Sequence, residues 1–138
     1  EDLPVNTGLP ASAGRKPGAT NFVELNPFPV TGRLLARGQQ RYTIYCAPCH
    51  GAIGDGNGIT KKIGAMAIVA NLHDKRIVEL ADGELFNTVS NGKNNMQGYA
   101  PQIVVEDRWA IIAYLRALQL SRLGSVEDLA PETRAKLK

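Results

Sequence analysis

Apolar and polar positions follow a helical period in three places along the chain. Between Gly32 and Cys46, the residues Leu34, Leu35, Gly38, Tyr42 and Tyr45 recur at helical spacing. Arg33, Arg37, Gln40 and Arg41 lie largely elsewhere on the wheel, so the segment predicts an amphipathic helix. A shorter helix is expected to carry Leu85, Phe86 and Val89, with Asp82 as its N-cap and Asn91-Gly92 as its stop. The clearest helix runs from about Val105 to Leu120, where Trp109, Ile112, Ala113, Arg116 and Leu120 share one face. Glu106 and Asp107 suit the positive end of its dipole. No alternating run is long enough to build a sheet, and no internal repeat is present. Residues 59–73 have mixed character and predict no defined element.

The remaining segments read as loops and tails. Gly51, Gly54, Gly56 and Gly58 forbid a regular element after residue 50, and SNGKNNMQGYAPQ forms a second loop. Residues 1–31 hold Pro4, Pro10, Pro17, Pro27 and Pro29 among small and polar residues, which reads as an extended tail. Phe28, between two of these prolines, is placed to dock on the folded domain or on a partner. The organisation expected is thus a Pro-rich tail over 1–31, an all-α domain over 32–121 and a charged tail over 122–138.

The length of 138 residues fits one domain with tails. Sixteen Lys and Arg against thirteen Asp and Glu give a net charge of +3, too weak a bias to argue nucleic acid. No apolar run is long enough to span a bilayer, and the opening EDLPVNTGLPASAGRKPG has no apolar segment of the signal-peptide kind. The chain reads as soluble. Because it begins without Met, it also reads as a mature form whose signal peptide or anchor has been removed.

There are only two cysteines, three positions apart, which excludes a disulfide framework beyond one tiny loop. A haem-attachment site, a redox dithiol or part of a metal site remains. Cys46-Ala47-Pro48-Cys49-His50 is a C-x-x-C-H, in which two thiols can add to the two vinyl groups on one side of a haem and the histidine reaches the iron. A redox dithiol would need a βαβ context, which is missing from the pattern. A zinc site would have to use Cys46, Cys49, His50 and His73, and the adjacency of Cys49 and His50 is awkward for a tetrahedral ion. A haem that only carries electrons needs a second axial ligand, for which Met96, Met66 and His73 are the candidates. Met96 is favoured: it sits in a polar loop before the last helix, between neighbours (Asn94, Asn95, Gln97) that do not look like core. Tyr99, Trp109, Arg108 and Arg41 are of the right type to meet anionic haem propionates. Lys61, Lys62, Lys75, Arg76 and Lys93 are of the right type to ring an exposed haem edge and steer an acidic partner.

Gly38, Tyr42, the CAPCH run, Met96 and the pattern from Trp109 to Leu115 together resemble the class I c-type cytochromes. The resemblance implies an all-α fold around one covalent haem c, with the first and last helices crossing at Gly38 and Tyr42 against Ile111 and Tyr114. It also implies His50 and Met96 as iron ligands and single-electron transfer without bond chemistry. In that family a proline carbonyl usually accepts a hydrogen bond from the proximal histidine. No proline lies between Pro48 and Pro101 here, so the acceptor for His50 is open. Met96 is also followed by Gln97 rather than by proline. RGQQRYTIYCAPCHGAIGDGNG, SNGKNNMQGYAPQI and VEDRWAIIAYLRALQLS, with NPFPVTG upstream, are further similar to the monohaem cytochrome c component of bacterial alternative complex III. That similarity implies partners in a membrane-bound quinol-oxidising complex, a downstream carrier or terminal oxidase, and a place on the periplasmic side of the cytoplasmic membrane. Membrane association would run through partners or a removed anchor. A free periplasmic carrier, or a peroxidase-type haem enzyme with a labile sixth ligand, is the alternative.

Overall fold

The computed structural model describes residues 22–66 and 68–123; the segments 1–21 and 124–138 of the expected tails lie outside them. In chain order, the helices are α1 (Gly32–Tyr45), α2 (Ala47–His50), α3 (Ile59–Lys62), α4 (Lys75–Val78) and α5 (Asp82–Asn91). A two-residue hairpin, β1 (Gly92–Lys93) antiparallel to β2 (Met96–Gln97), precedes α6 (Val105–Leu123). Residues 59–73, without an expected element, thus contain one helical turn, and the expected loop after Ser90 contains a small hairpin.

α1 begins at Thr31, whose Oγ1 accepts from the Leu34 amide at 3.1 Å. It crosses α6 closely because Gly38 has no side chain. A Cβ there would overlap the Ala110 carbonyl and come within 2.9 Å of Tyr114 Cβ. Tyr42 and Tyr114 meet beside this point with ring centroids 5.4 Å apart. At the start of α6, Arg37 grips both carboxylate oxygens of Asp107, at 2.9 and 3.0 Å.

Two further apolar clusters flank the crossing. Ile77, Leu85, Phe86, Trp109, Ile112 and Leu115 join α4, α5 and α6, with Phe86 and Trp109 stacked at 4.2 Å. Tyr42, Cys46, Ile103 and Ile111 form the other, with Tyr45 and Tyr99 packed against it. Leu120, assigned to the core face by periodicity, is 70% exposed, while its neighbour Gln119 is buried, so Leu120 lies on the open side of α6.

Asp82 is also not the cap. The N-cap of α5 is Ala81, and Asp82 is the first helical residue. Its carboxylate instead accepts from Arg116 Nε at 2.7 Å and from the Asn26 amide at 2.8 Å. Arg116 also donates to the carbonyls of Val78 and Leu80 and to Gln119, whose own amide reaches Leu72 O at 2.8 Å. A buried carboxylate needs partners of this kind to offset the water it loses.

The strap from Phe22 to Thr31 lies on the same surface. Val23 and Phe28 pack against the cluster of α4, α5 and α6. The carbonyls of Val23 and Glu24 accept from the amides of Gly83 and Asp82. Asn26 Nδ2 donates to Trp109 O at 2.9 Å. Among the described residues, no helix is long and apolar enough to cross a membrane.

Candidate functional site

The C-x-x-C-H motif occupies a single helical turn that follows directly on α1. The amides of Cys49 and His50 both return to Cys46 O, at 3.1 and 2.8 Å. Residues three and four apart on such a turn share a face. The turn therefore puts Cys46, Cys49 and His50 on one side, which is the physical content of the spacing. Pro48 in the first turn has a fixed φ suited to this position.

The glycine loop ties down the carbonyls of the turn. Gly56 N donates to His50 O at 2.7 Å, Gly58 N to Cys49 O at 3.2 Å, and Thr60 Oγ1 to Pro48 O at 3.2 Å. The buried Tyr42 hydroxyl donates to Gly51 O at 2.7 Å. A Cβ on Gly58 would overlap the Pro48 carbonyl, so only glycine fits there.

His50 Nδ1 lies 3.0 Å from Ala70 O. A carbonyl only accepts, so Nδ1 carries the proton and Nε2 keeps its lone pair. Burial lowers the His50 pKa, against a smaller opposing effect of the Ala70 bond, which leaves the neutral ring favoured. Leu72 N bonds Gly54 O at 2.7 Å and holds the Ala70 segment beside the glycine loop. The acceptor left open by the sequence is thus a backbone carbonyl of an alanine, which needs no proline and leaves no side-chain signal.

Cys46 is buried among Tyr42, Ile103 and Ile111, and burial, aided by the neighbouring Cys49, pushes its thiol up to about 12. Cys49 is half-buried, with its Sγ 3.7 Å from Met66 Sδ. Met66 is therefore placed at the Cys49 side of the motif. Met96 lies in β2, opposite Lys93 across the hairpin. That hairpin is clamped to the end of α5 by Tyr99 N to Val89 O, at 2.8 Å, and Ala100 N to Ser90 O, at 3.1 Å. Asn95 at its tip lines a cavity of about 340 Å³ together with Ala65, Met66 and Ile68, so the two methionine-bearing segments approach each other.

The other candidates divide. Tyr99 sits edge-on to Tyr45, centroids 5.9 Å apart, in the cluster that contains Cys46. Trp109 is fully buried in the other cluster, stacked on Phe86. Arg108 is buried, donates to Ser90 Oγ at 2.6 Å and lies 5.0 Å over the Phe86 ring; desolvation lowers its pKa. Arg41 donates to Gln40 at 3.2 Å. The Nε atoms of Arg41 and Arg108 are buried without an acceptor. His73 is engaged through Nε2, 2.6 Å from Ile53 O, beside the glycine loop.

Two free thiols and one imidazole of fixed tautomer on a common face form a donor set that fits a haem held by two thioethers and one nitrogen. No curated protein sequence matches the chain. Among solved structures, a chain of the reducing HAO-like protein complex of Kuenenia stuttgartiensis matches with a TM-score of 0.58 at 21% identity. The match covers 79% of this chain and 54% of that one, so the present chain spans about half the length of its neighbour. Cytochrome cL from Hyphomicrobium denitrificans matches with a TM-score of 0.49 at 22% identity, over 76% of this chain and 59% of that one. The mostly helical architecture is the class I cytochrome c fold expected from the sequence. Over residues 33–115, more than half of its length, the chain matches and so belongs to the family described as cytochrome c oxidase, cbb3-type, subunit III, and with it to the c-type cytochromes, electron-transfer proteins that hold haem c covalently.

Proposed function

We propose that the chain is a monohaem cytochrome that relays single electrons in a bacterial respiratory chain, as a subunit of a quinol-oxidising alternative complex III on the periplasmic side of the membrane. The observation that carries the haem reading is the bond from His50 Nδ1–H to Ala70 O, because it presents Nε2 as a ligand beside two thiols on the same turn. In this reading Cys46 and Cys49 form the thioethers, His50 is the proximal ligand and Met96 the distal one. When bound, haem c supplies a reversible one-electron couple between ferric and ferrous iron. A soft thioether ligand from Met96 would favour the ferrous form and raise the potential.

Met66 lies at the attachment edge through its contact with Cys49, which supports Met96 rather than Met66 as the distal thioether. Tyr99 is proposed as a polar neighbour of the propionates on the Cys46 side. Trp109 is proposed to act from the helix core by fixing α5 against α6. The acceptor-free Nε atoms of Arg41 and Arg108 are donors of the kind an anionic propionate needs.

The complex III reading is supported by the sequence likeness described above. Partner chains or a removed anchor would provide the membrane association, and a downstream carrier or terminal oxidase would take the electron.

The test is an optical spectrum of oxidised holoprotein. The weak near-infrared sulfur-to-iron band is expected in the wild type and in Met66→Ala and is lost in Met96→Ala. Loss in Met66→Ala alone would move the ligand to Met66. Mass spectrometry should show one haem per chain. Co-purification with a quinol-oxidising membrane complex is expected, and a protein that always purifies alone is a free carrier.

A further inference from the structure

Ala70 supplies the carbonyl that fixes the His50 ring, yet its own surroundings are open: Ile68 and Ala70 are both exposed. The position of that carbonyl is therefore set by how the neighbouring chain is held. The anchors come two and three residues later. Leu72 N donates to Gly54 O at 2.7 Å, and His73 Nε2 donates to Ile53 O at 2.6 Å. Both tie the segment to the glycine loop, which is itself held mainly by hydrogen bonds. A third anchor comes from α6, where Gln119 Nε2 donates to Leu72 O at 2.8 Å. That bond refers the segment to the packed helices.

Gln119 is 2% exposed, and a buried amide is costly unless both of its ends are satisfied. Its oxygen accepts from Arg116 Nη1 at 2.9 Å. An arginine only donates and a carbonyl only accepts, so the two neighbours settle which way the amide faces. Arg116 is held in turn by Asp82 and by the carbonyls of Val78 and Leu80. Glutamate at this position would suit Arg116 but would turn an oxygen on the Leu72 carbonyl. Methionine would fill the space and serve neither neighbour.

We propose that Gln119 is a positioning residue for the proximal ligand: through Leu72 O it holds the Ala70 carbonyl against His50 Nδ1 and so sets how strongly Nε2 donates to iron. The proposal rests on the haem reading given above. A carbonyl that draws on the Nδ1 proton makes Nε2 a more basic ligand, which favours ferric iron. With Leu72 O released, Ala70 draws back, the pull on the ring weakens and the ferrous form gains.

The test uses holoprotein checked for covalent haem by mass and for folding by circular dichroism. Two quantities are read: the reduction potential, and the rate at which the His50 Nδ1 proton exchanges with solvent, followed by NMR in the reduced protein. Gln119→Met should shift the ferric–ferrous equilibrium about threefold toward ferrous and speed the exchange about tenfold. Gln119→Glu keeps the acceptor for Arg116, loses the donor to Leu72 O, and should speed the exchange as much. It also carries the test if the methionine variant does not fold. Leu34→Ala, in the cluster around Ala110 and Ala113, should lower the melting temperature at least as far and leave the potential unchanged. Folded Gln119 variants with the potential and exchange of wild type overturn the proposal. So does a glutamate variant that exchanges like wild type beside a methionine variant that does not, which would reduce Gln119 to a support for Arg116. An equal shift of potential in Leu34→Ala would make the effect one of stability alone and overturn it too. A preparation without covalent haem would instead defeat the haem reading, and with it any effect on a potential.

Discussion

The crossing of α1 with α6 and the loop that holds His50 are built on different principles. At the crossing, helices approach through small residues and interlocked rings: Gly38 against Ala110, Tyr42 against Tyr114. In the loop from Gly51 to Leu72 the packing is thin, and main-chain hydrogen bonds do the positioning, with carbonyls of Pro48, Cys49, His50 and Gly51 each receiving a donor. A packed crossing resists change through volume, whereas a hydrogen-bonded loop resists it through direction. The first should set stability and the second the chemistry of the His50 ring.

The sharpest way to break the comparison is to fill the crossing. Gly38→Val should destabilise the protein by at least about 3 kcal/mol, since the two backbones must separate. Thermal denaturation of holoprotein reads this directly, and a variant that melts like wild type would show that the crossing does not carry the fold. Asp82→Ala comes next, because it leaves Arg116 short of its only carboxylate among the described residues. A loss of about 2 kcal/mol is expected, below the range for fully buried pairs because Arg116 retains some exposure. Restoring neutrality with Arg116→Met in the same chain should recover part of it.

Gly58→Ala sharpens the contrast. The clash with Pro48 O should cost about 1–2 kcal/mol, less than at Gly38, yet shift the reduction potential, because it disturbs the turn that carries His50. A redox titration beside a melting curve separates the two effects.

Acid should act through the same ring. The folded pKa of His50 lies below its unfolded value, so its contribution is intact above about pH 6.5 and is lost as the pH falls from there through the folded pKa. Iron bound at Nε2, as proposed, would act in the same direction, by opposing the proton further. Denaturant melts at stepped pH should show stability falling on the acid side. The smallest effect belongs to the exposed pair of Lys75 and Glu79, 3.6 Å apart on one helix face. Lys75→Ala should change stability by less than about 0.5 kcal/mol, within the scatter of a melting experiment.

The legibility of the molecule follows the same division. Periodicity reveals α1 and α6 because their side chains repeat the geometry of their packing, and the C-x-x-C-H spacing implies a shared face because a helical turn has one. Ala70 is invisible: what it offers is a carbonyl, which every residue owns. Asp82 misleads for a related reason. Its position beside the start of α5 suits a cap, but a long-range partner, Arg116, and the strap residue Asn26 claim its carboxylate instead. The Met66 contact with Cys49 depends on how a loop without periodicity returns to the motif, which no local pattern encodes.

The strap has a mechanical consequence. Its hydrogen bonds run to the first turn of α5 and to Trp109 O in α6, ahead of the point where the chain enters α1. Tension applied from the N-terminal side is therefore delivered to Asp82, Gly83 and α6 before it can reach the turn that ends in His50. The strap acts as a strain relief: a pull on it must first shear the bonds of Val23, Glu24 and Asn26, which lie ahead of the turn that carries His50.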